Sequence, residues 1–206
     1  TPFLTAAQCG SMNALEKLKE MGANPTALGP LASNASHLAA TYTPDEMVLD
    51  VLQKLKEYGV DLTHKNSNNC TPAALAFTYG RSRVVLEALK ELGVDLNENV
   101  PLFNYAFAVG NPDDVPELLQ ILIDLDVNLG DERKAPIKPI HMAIVRKNLE
   151  ALNLLMRDEN IAVPLTIEEI KKMLKMAKDT AYTPIVEILQ DKLDRAVGAV
   201  TLCVTS

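Results

Sequence analysis

Apolar and polar residues recur along this chain in short segments with helical spacing. In residues 12–20, Leu15 and Leu18 fall on one face while Glu16, Lys17 and Lys19 take the other. Comparable segments lie at about residues 46–58, 82–92, 115–125 and 149–157, and each follows a shorter apolar segment. Helices of this length are marginal alone in water. The pattern therefore predicts pairs of helices that bury their apolar faces against neighbouring pairs.

Capping residues mark where each pair begins and ends. In residues 71–95, Thr71 is typical of a helix N-cap with Pro72 at the first helical position. Gly80 separates the two helices and Gly93 ends the second. Similar openings lie near residues 1, 34, 71, 100 and 138. The chain thus contains about five copies of one helical hairpin.

These openings, with closes such as Gly59-Val60-Asp61, resemble the ankyrin repeat, which has a Thr-Pro-Leu-His-x-Ala signature and a period of about 33 residues. The resemblance implies an all-α solenoid of ankyrin-like helix-turn-helix repeats over residues 1–165, with finger loops projecting from the helices. We predict a C-terminal helical cap over residues 166–197, because an array must end in a unit with a polar outer face. Residues 198–206 form an apolar, uncharged tail.

The predicted cap contains a group of lysines. Lys171, Lys175 and Lys178 fall on one stripe of the first capping helix, with Lys172 beside them and Glu168 placed to pair with Lys172. A phosphate or membrane patch is one interpretation. The preferred interpretation is a solvated outer face of the cap.

Composition and charge exclude several classes of function. The 206 residues carry a net charge of −7, so nucleic acid is not expected as the principal partner. No apolar run reaches the roughly 18 to 20 residues of a membrane span. Cys9, Cys70 and Cys203 lie far apart, with no pair at metal-ligand spacing, which argues against a disulfide framework and a zinc site and favours a reducing compartment. The start at Thr1, already inside a repeat and without Met, indicates a piece of a longer protein.

No motif for catalysis or cofactor binding is present. His37 and His141 take the fourth position of the repeat signature, where the resemblance implies a histidine that hydrogen-bonds neighbouring backbone and ties one finger to the next. His64 has no such position and is expected to be exposed. Acidic pairs such as Asp113-Asp114 show no sign of converging on a cleft, and there is no glycine-rich phosphate loop. We predict no catalytic residue, cofactor or metal.

The resemblance also predicts where a partner binds. In such repeats the two residues before the break between the helices point into a concave groove, which contacts partners together with the finger tips. Tyr and Arg are enriched among residues that dominate interface energy. In the alternative interpretation, the tyrosines only pack on the neighbouring finger. The predicted contact residues are Gln8, Tyr42, His64, Asn68, Tyr79, Phe107 and Arg146.

The predicted function is protein–protein recognition through the groove and the fingers, without catalysis. The expected partner is another protein, and the expected state is a monomer inside the cell, in the cytoplasm or nucleus. The alternative is a targeting or autoinhibitory arm of a larger enzyme whose catalytic domain lies outside this chain. Departures from the repeat signature, such as Asn34-Ala35-Ser36, resemble the divergent arrays of bacterial effectors delivered into host cells.

Overall fold

The computed structural model describes residues 1–97, 102–108, 111–127, 129, 139–157 and 166–204. All regular secondary structure in these residues is helical, without a β-strand, so the predicted all-α class is confirmed. Some predicted features lie outside the described residues: the Val100-Pro101 opening, the break at Gly110, most of the fourth finger, and residues 158–165 and 205–206.

The helices form pairs in which a short first helix is followed by a longer second helix. The first helices are α1 (Pro2–Gln8), α3 (Ala35–Tyr42), α5 (Pro72–Thr78), α7 (Leu102–Ala108) and α9 (Pro139–Val145). The second helices are α2 (Met12–Glu20), α4 (Val48–Glu57), α6 (Ser82–Glu91), α8 (Val115–Asp124) and α10 (Leu149–Arg157). The last pair is α11 (Ile167–Asp179) and α12 (Thr183–Val204).

Helix α12 is longer than the sequence predicts. The expected end lay near Val197, but the helix continues through Gly198 to Val204. A single glycine inside a helix costs only about 1 kcal/mol relative to alanine, which is too little to stop a helix of this length. Among the described residues, no helix has both the length and the apolar character that crossing a bilayer requires.

The chain divides into two compact units. The first contains residues Thr1–Val109 with Asp124–Val127, and the second contains Gly110–Ile123 with Asn128–Ser206. In the first unit, α1 packs against α3, α3 against α5, and α5 against α7. In the second unit, α9 packs against α10 and α11, and α11 packs against α12. The predicted boundaries between array, cap and tail remain predictions.

Local capping chemistry explains why the first helices begin where they do. The Thr1 and Thr71 side chains accept hydrogen bonds from the backbone N–H groups of Leu4 and Ala74, and a proline follows each threonine. Asn34 takes the same place before α3, where its side chain accepts a hydrogen bond from the backbone N–H of His37. These bonds satisfy donors that the first turn of a helix leaves without a partner.

Left-handed residues separate and end the helices. Gly80 lies between α5 and α6 with φ of 69°, and Gly93 follows α6 with φ of 77°. Two repeats place other residues in equivalent turns: Asp126 has φ of 55° and Lys147 has φ of 56°. An L residue pays roughly 1 to 2 kcal/mol for this conformation, which glycine avoids.

The turn after α3 differs from the prediction. The sequence favours Thr43 as the cap of the next helix with Pro44 at its first position, but a 3-10 turn of Asp45–Met47 intervenes and α4 begins at Val48. The Thr43 hydroxyl instead donates to the backbone carbonyl of Ala7, at 2.6 Å. The prediction is wrong because this acceptor belongs to the preceding repeat, which local sequence patterns do not reveal.

Buried alanines and leucines form the core of the first unit. Ala7, Ala39 and Ala76 on the first helices have essentially no exposed surface. Their small side chains let these helices lie close together. Leu52 and Leu86 on the second helices are also fully buried, and each such leucine contributes roughly 1.5 to 3 kcal/mol.

Lysines of the second helices add polar contacts between repeats. Lys56 Nζ of α4 donates to the carbonyl of Leu92, which follows α6, at 2.7 Å. Lys90 Nζ of α6 donates to the carbonyl of Leu125 at 2.8 Å and to the Asp126 carboxylate at 3.0 Å. Each lysine therefore satisfies carbonyl groups that the end of the next second helix leaves unpaired.

Candidate functional site

The ends of α1, α3 and α5 carry the predicted groove residues of the first unit. Cys9, Tyr42 and Tyr79 hold the same position in three successive repeats, and the three helices pack side by side. Tyr42 and Tyr79 are 50% and 49% exposed. Cys9 is exposed and Gln8 is half-buried. The structure thus presents two large aromatic side chains to solvent at adjacent positions.

Tyr42 and Tyr79, called here the tyrosine pair, contact each other directly. Their ring centroids lie 5.8 Å apart with a tilt of 58° between the ring planes. Tilted aromatic contacts of this kind contribute about 0.5 to 1.5 kcal/mol beyond buried area. The pKa of the Tyr79 hydroxyl is raised, chiefly by hydrogen bonding with Tyr42. Each ring therefore restricts the motion of the other while part of each remains open to solvent.

Arg81 supports the helix that ends at Tyr42. Its Nη1 donates to the carbonyl oxygens of Ala39 and Ala40, at 3.3 and 3.1 Å. Its Nε and Nη2 donate to Oδ1 of Asp45, at 3.1 and 2.6 Å. The side chain is only 14% exposed. Sequence analysis missed this residue because its partners lie in the preceding repeat.

His37 has the structural role that the repeat signature implies. It is fully buried. Its Nε2–H donates to the carbonyl of Cys70 at 3.0 Å, and the backbone N–H of Asn34 donates to Nδ1 at 3.3 Å. The Cys70 bond ties α3 to the second finger, at residues 61–70. Burial lowers the pKa of the imidazole below its usual value.

His64 differs from its predicted state. The sequence indicated an exposed side chain without a structural role, whereas His64 is half-buried and its Nε2–H donates to the carbonyl of Ala32 at 3.0 Å. Its ring also meets the edge of His37, with centroids 5.8 Å apart. The expectation of a free side chain is wrong because the acceptor lies in the first finger. A contact between His64 and a partner remains a prediction.

The second finger holds Asn68 at an exposed position. The buried Asn66 carbonyl oxygen Oδ1 accepts hydrogen bonds from the backbone N–H groups of Asn68 and Cys70, at 3.0 and 3.1 Å. The backbone N–H of Ser67 donates to the carbonyl of Leu31 in the first finger, at 2.8 Å. These hydrogen bonds fix the shape of the finger.

Two further predicted contact residues have different outcomes. Phe107 is only 3% exposed and belongs to the core, so its prediction as a groove residue is wrong. The fourth repeat has an extra residue before its break, and the exposed side chain near the end of α7 is Ala108. Arg146 is exposed as predicted, but it belongs to the second unit. Arg146 therefore lies in a different unit from the tyrosine pair.

The described residues also include the types that hold metals or supply reactive thiols. In the described part of the chain, no group of three or more His, Cys, Asp or Glu side chains is arranged to hold a metal ion. Cys9 and Cys70 are free thiols. The Tyr105 hydroxyl donates to the Cys70 sulfur at 3.8 Å, and burial is the main reason that the pKa of Tyr105 rises to about 12.

Comparison with known proteins gives matches at the level of structure. No protein-family model and no curated protein matches the sequence. The crystal structure of the human ASB11 ankyrin repeat domain matches 93% of this chain and 83% of that chain, with a TM-score of 0.61 and 19% identity. The ankyrin repeat domain of Bcl-3, described as a unique member of the IkappaB protein family, matches 93% of this chain and 85% of that chain, with a TM-score of 0.68 and 19% identity. At this identity the matches show the fold, and the predicted solenoid of ankyrin-type repeats is confirmed.

Proposed function

We propose that this chain, which has the ankyrin-repeat fold of the matched structures, is a protein-binding module whose partner covers the tyrosine pair. The observation that carries the proposal is the contact between two half-exposed tyrosines at equivalent positions of adjacent repeats. Aromatic residues make up only 4% of the chain. A surface that exposes two of them side by side, where α3 and α5 end, therefore favours an interface.

The physical properties of the tyrosine pair suit partner recognition. Tyrosine offers a large apolar ring together with a hydroxyl group, and it has few rotatable bonds to immobilise. Because the two rings already restrict each other, ordering them on binding costs less entropy than ordering two free side chains. Asn68 and the rest of the second finger, which is held by Asn66, supply polar groups for the rim of the same interface.

The test is an affinity capture with the tagged chain and a double variant, Tyr42→Ala with Tyr79→Ala. Captured proteins are identified by mass spectrometry, and the affinity of each for the purified chain is then measured. Central tyrosines of interfaces contribute 2 kcal/mol or more, so the double variant is expected to bind at least about 30-fold more weakly. Tyr182→Ala in the second unit is the matched control and leaves binding unchanged.

Retained binding by the double variant, with an unchanged far-UV circular dichroism spectrum, would contradict the proposal. The alternative of a targeting or autoinhibitory arm concerns an enzyme outside this chain and remains a hypothesis. Capture of a separate protein favours the binding module. Monomeric state and a location in the cytoplasm or nucleus also remain predictions, which sedimentation and fluorescence microscopy of a tagged chain would check.

A further inference from the structure

The second unit carries exposed cationic side chains on two packed helices that the proposed function does not use. Arg146 and Lys147 lie where α9 ends, and Lys171, Lys175 and Lys178 lie on α11. All five side chains are exposed, and α9 packs against α11. In the described part of the chain, no ion pair joins any of them to a carboxylate. We call these five residues the cationic face.

The fold fixes the lysines of this face in one direction. Lys171, Lys175 and Lys178 are spaced by four and three residues, which places them on one stripe of an α-helix. The opposite side of α11 is buried through residues such as Met173 and Ala177. The buried side therefore fixes the orientation of α11 and keeps the three lysines at the surface.

Keeping these cations together is unfavourable in the free protein. Like charges four residues apart on a helix, as in Lys171 and Lys175, destabilise it by about 0.2 to 0.5 kcal/mol. The chain as a whole has a net charge of −7. In the first unit, Arg81, Arg83 and Lys90 each pair with a carboxylate. The three lysines of α11 have no such partner in the described part of the chain, and an acidic ligand would relieve the repulsion between them.

We propose that the cationic face binds an acidic segment of a partner protein, a run of Asp or Glu side chains. The surface does not suit the other anionic partners as well. Residues 139–180 contain no Phe, Tyr or Trp, and Tyr182, which follows α11, is half-buried, so this surface offers no row of exposed aromatic rings for stacking nucleic-acid bases. The apolar side of α11 is buried and cannot insert into a lipid bilayer. Val145, 55% exposed beside Arg146, offers a contact for an apolar side chain within the same acidic segment.

The test measures fluorescence anisotropy of a fluorescein-labelled peptide of eight Glu residues titrated with the chain, with a peptide of eight Gln as the neutral reference. The octaglutamate peptide is expected to bind at about 20 mM salt and to weaken at about 150 mM, because the screening length shortens. The triple variant Lys171→Gln, Lys175→Gln, Lys178→Gln is expected to lose at least about tenfold in affinity. Lys175→Gln alone is expected to lose roughly two- to fivefold.

The matched control replaces three exposed lysines of the first unit, with Lys17→Gln, Lys19→Gln and Lys65→Gln, and leaves the affinity within twofold of the parent. An equal loss in this control would overturn the proposal, as would failure of octaglutamate to bind at low salt. Tighter binding of a single-stranded oligonucleotide or of phosphatidylserine vesicles would assign the face to another partner class. The double tyrosine variant separates this surface from the tyrosine pair, because it should bind octaglutamate as the parent chain does.

Discussion

Replacing Arg81 by methionine tests whether a side chain of one repeat stabilises the backbone of the preceding repeat. The change keeps an unbranched apolar side chain that covers the same stem and removes the four hydrogen bonds of the guanidinium group. Two of them go to the carbonyl groups of Ala39 and Ala40 at the end of α3, and two go to Asp45. The arginine side chain is only 14% exposed, so water replaces it poorly. The carbonyl of Ala40 would then lose its donor, while that of Ala39 would keep the hydrogen bond from the backbone N–H of Thr43.

The expected loss follows from these contacts. Hydrogen bonds from charged donors contribute about 1.5 to 3 kcal/mol in protected sites. The Asp45 side chain is 63% exposed, so the ion pair adds at most about 1 kcal/mol. We therefore expect Arg81→Met to lower the free energy of unfolding by about 2 to 3 kcal/mol. Because the free energy of unfolding typically falls by about 1 to 3 kcal/mol per molar urea, the urea concentration at the unfolding midpoint should fall by roughly 1 M.

Urea titration followed by far-UV circular dichroism measures this change. Asp45→Asn is the control, because it removes only the ion pair and should lower the stability by less than about 1 kcal/mol. The reasoning is refuted if Arg81→Met and Asp45→Asn have the same effect, since the carbonyl contacts would then contribute nothing. A smaller slope of the free energy of unfolding against urea concentration would show that the repeats no longer unfold together. Repeat arrays can lose cooperativity in this way because each repeat contacts only its neighbours.

Two further predictions concern a buried histidine and a left-handed turn. Burial lowers the folded-state pKa of His37, so the unfolded chain binds more protons than the folded chain at acidic pH. The contribution of His37 to the free energy of unfolding is therefore fully present above about pH 6.5. As the pH falls below this value, the free energy of unfolding decreases by at most about 1.4 kcal/mol per pH unit. Urea titrations at several pH values measure this dependence, with His37→Gln as the control. A stability that rises on acidification would instead indicate that a protonated Nδ1 donates to Asn34 Oδ1, 2.7 Å away. Lys147→Gly is expected to raise the melting temperature by a few degrees, through a gain of about 1 kcal/mol at a residue with φ of 56°. Gly80→Ala, at a residue with φ of 69°, should lower the melting temperature. A lower melting temperature in Lys147→Gly would contradict the inference that Lys147 is strained in the left-handed conformation.

Sequence rules predicted the elements whose causes are local. Thr71 caps α5 through a bond to a residue three positions away, and Gly93 ends α6 within one turn of the helix. Such contacts depend on neighbours that can be counted along the chain. The repeat spacing then placed Tyr42 and Tyr79 at matching positions, and the structure brings their rings into contact.

Two of the errors have long-range causes. Thr43 donates to Ala7, and His64 donates to Ala32, across 36 and 32 residues. A hydroxyl or an imidazole has no sequence pattern that distinguishes a distant backbone acceptor from water. Phe107 was misplaced because an extra residue shifted the register of its repeat. The core could absorb this ring, and burial of a large apolar side chain is favourable wherever space allows.

The contacts between repeats share a property that bears on the proposed function. Thr43, Arg81 and Lys56 each donate to a backbone carbonyl of a neighbouring repeat. Because every residue has a carbonyl group, these contacts do not require a particular side chain on the accepting repeat. Tyr42 and Tyr79 can therefore change without breaking them, and the double alanine variant should lose only the ring contact, worth about 1 kcal/mol, and the apolar area that the two half-exposed rings bury. A large loss of binding with a small loss of stability is the result that separates recognition from folding on this surface.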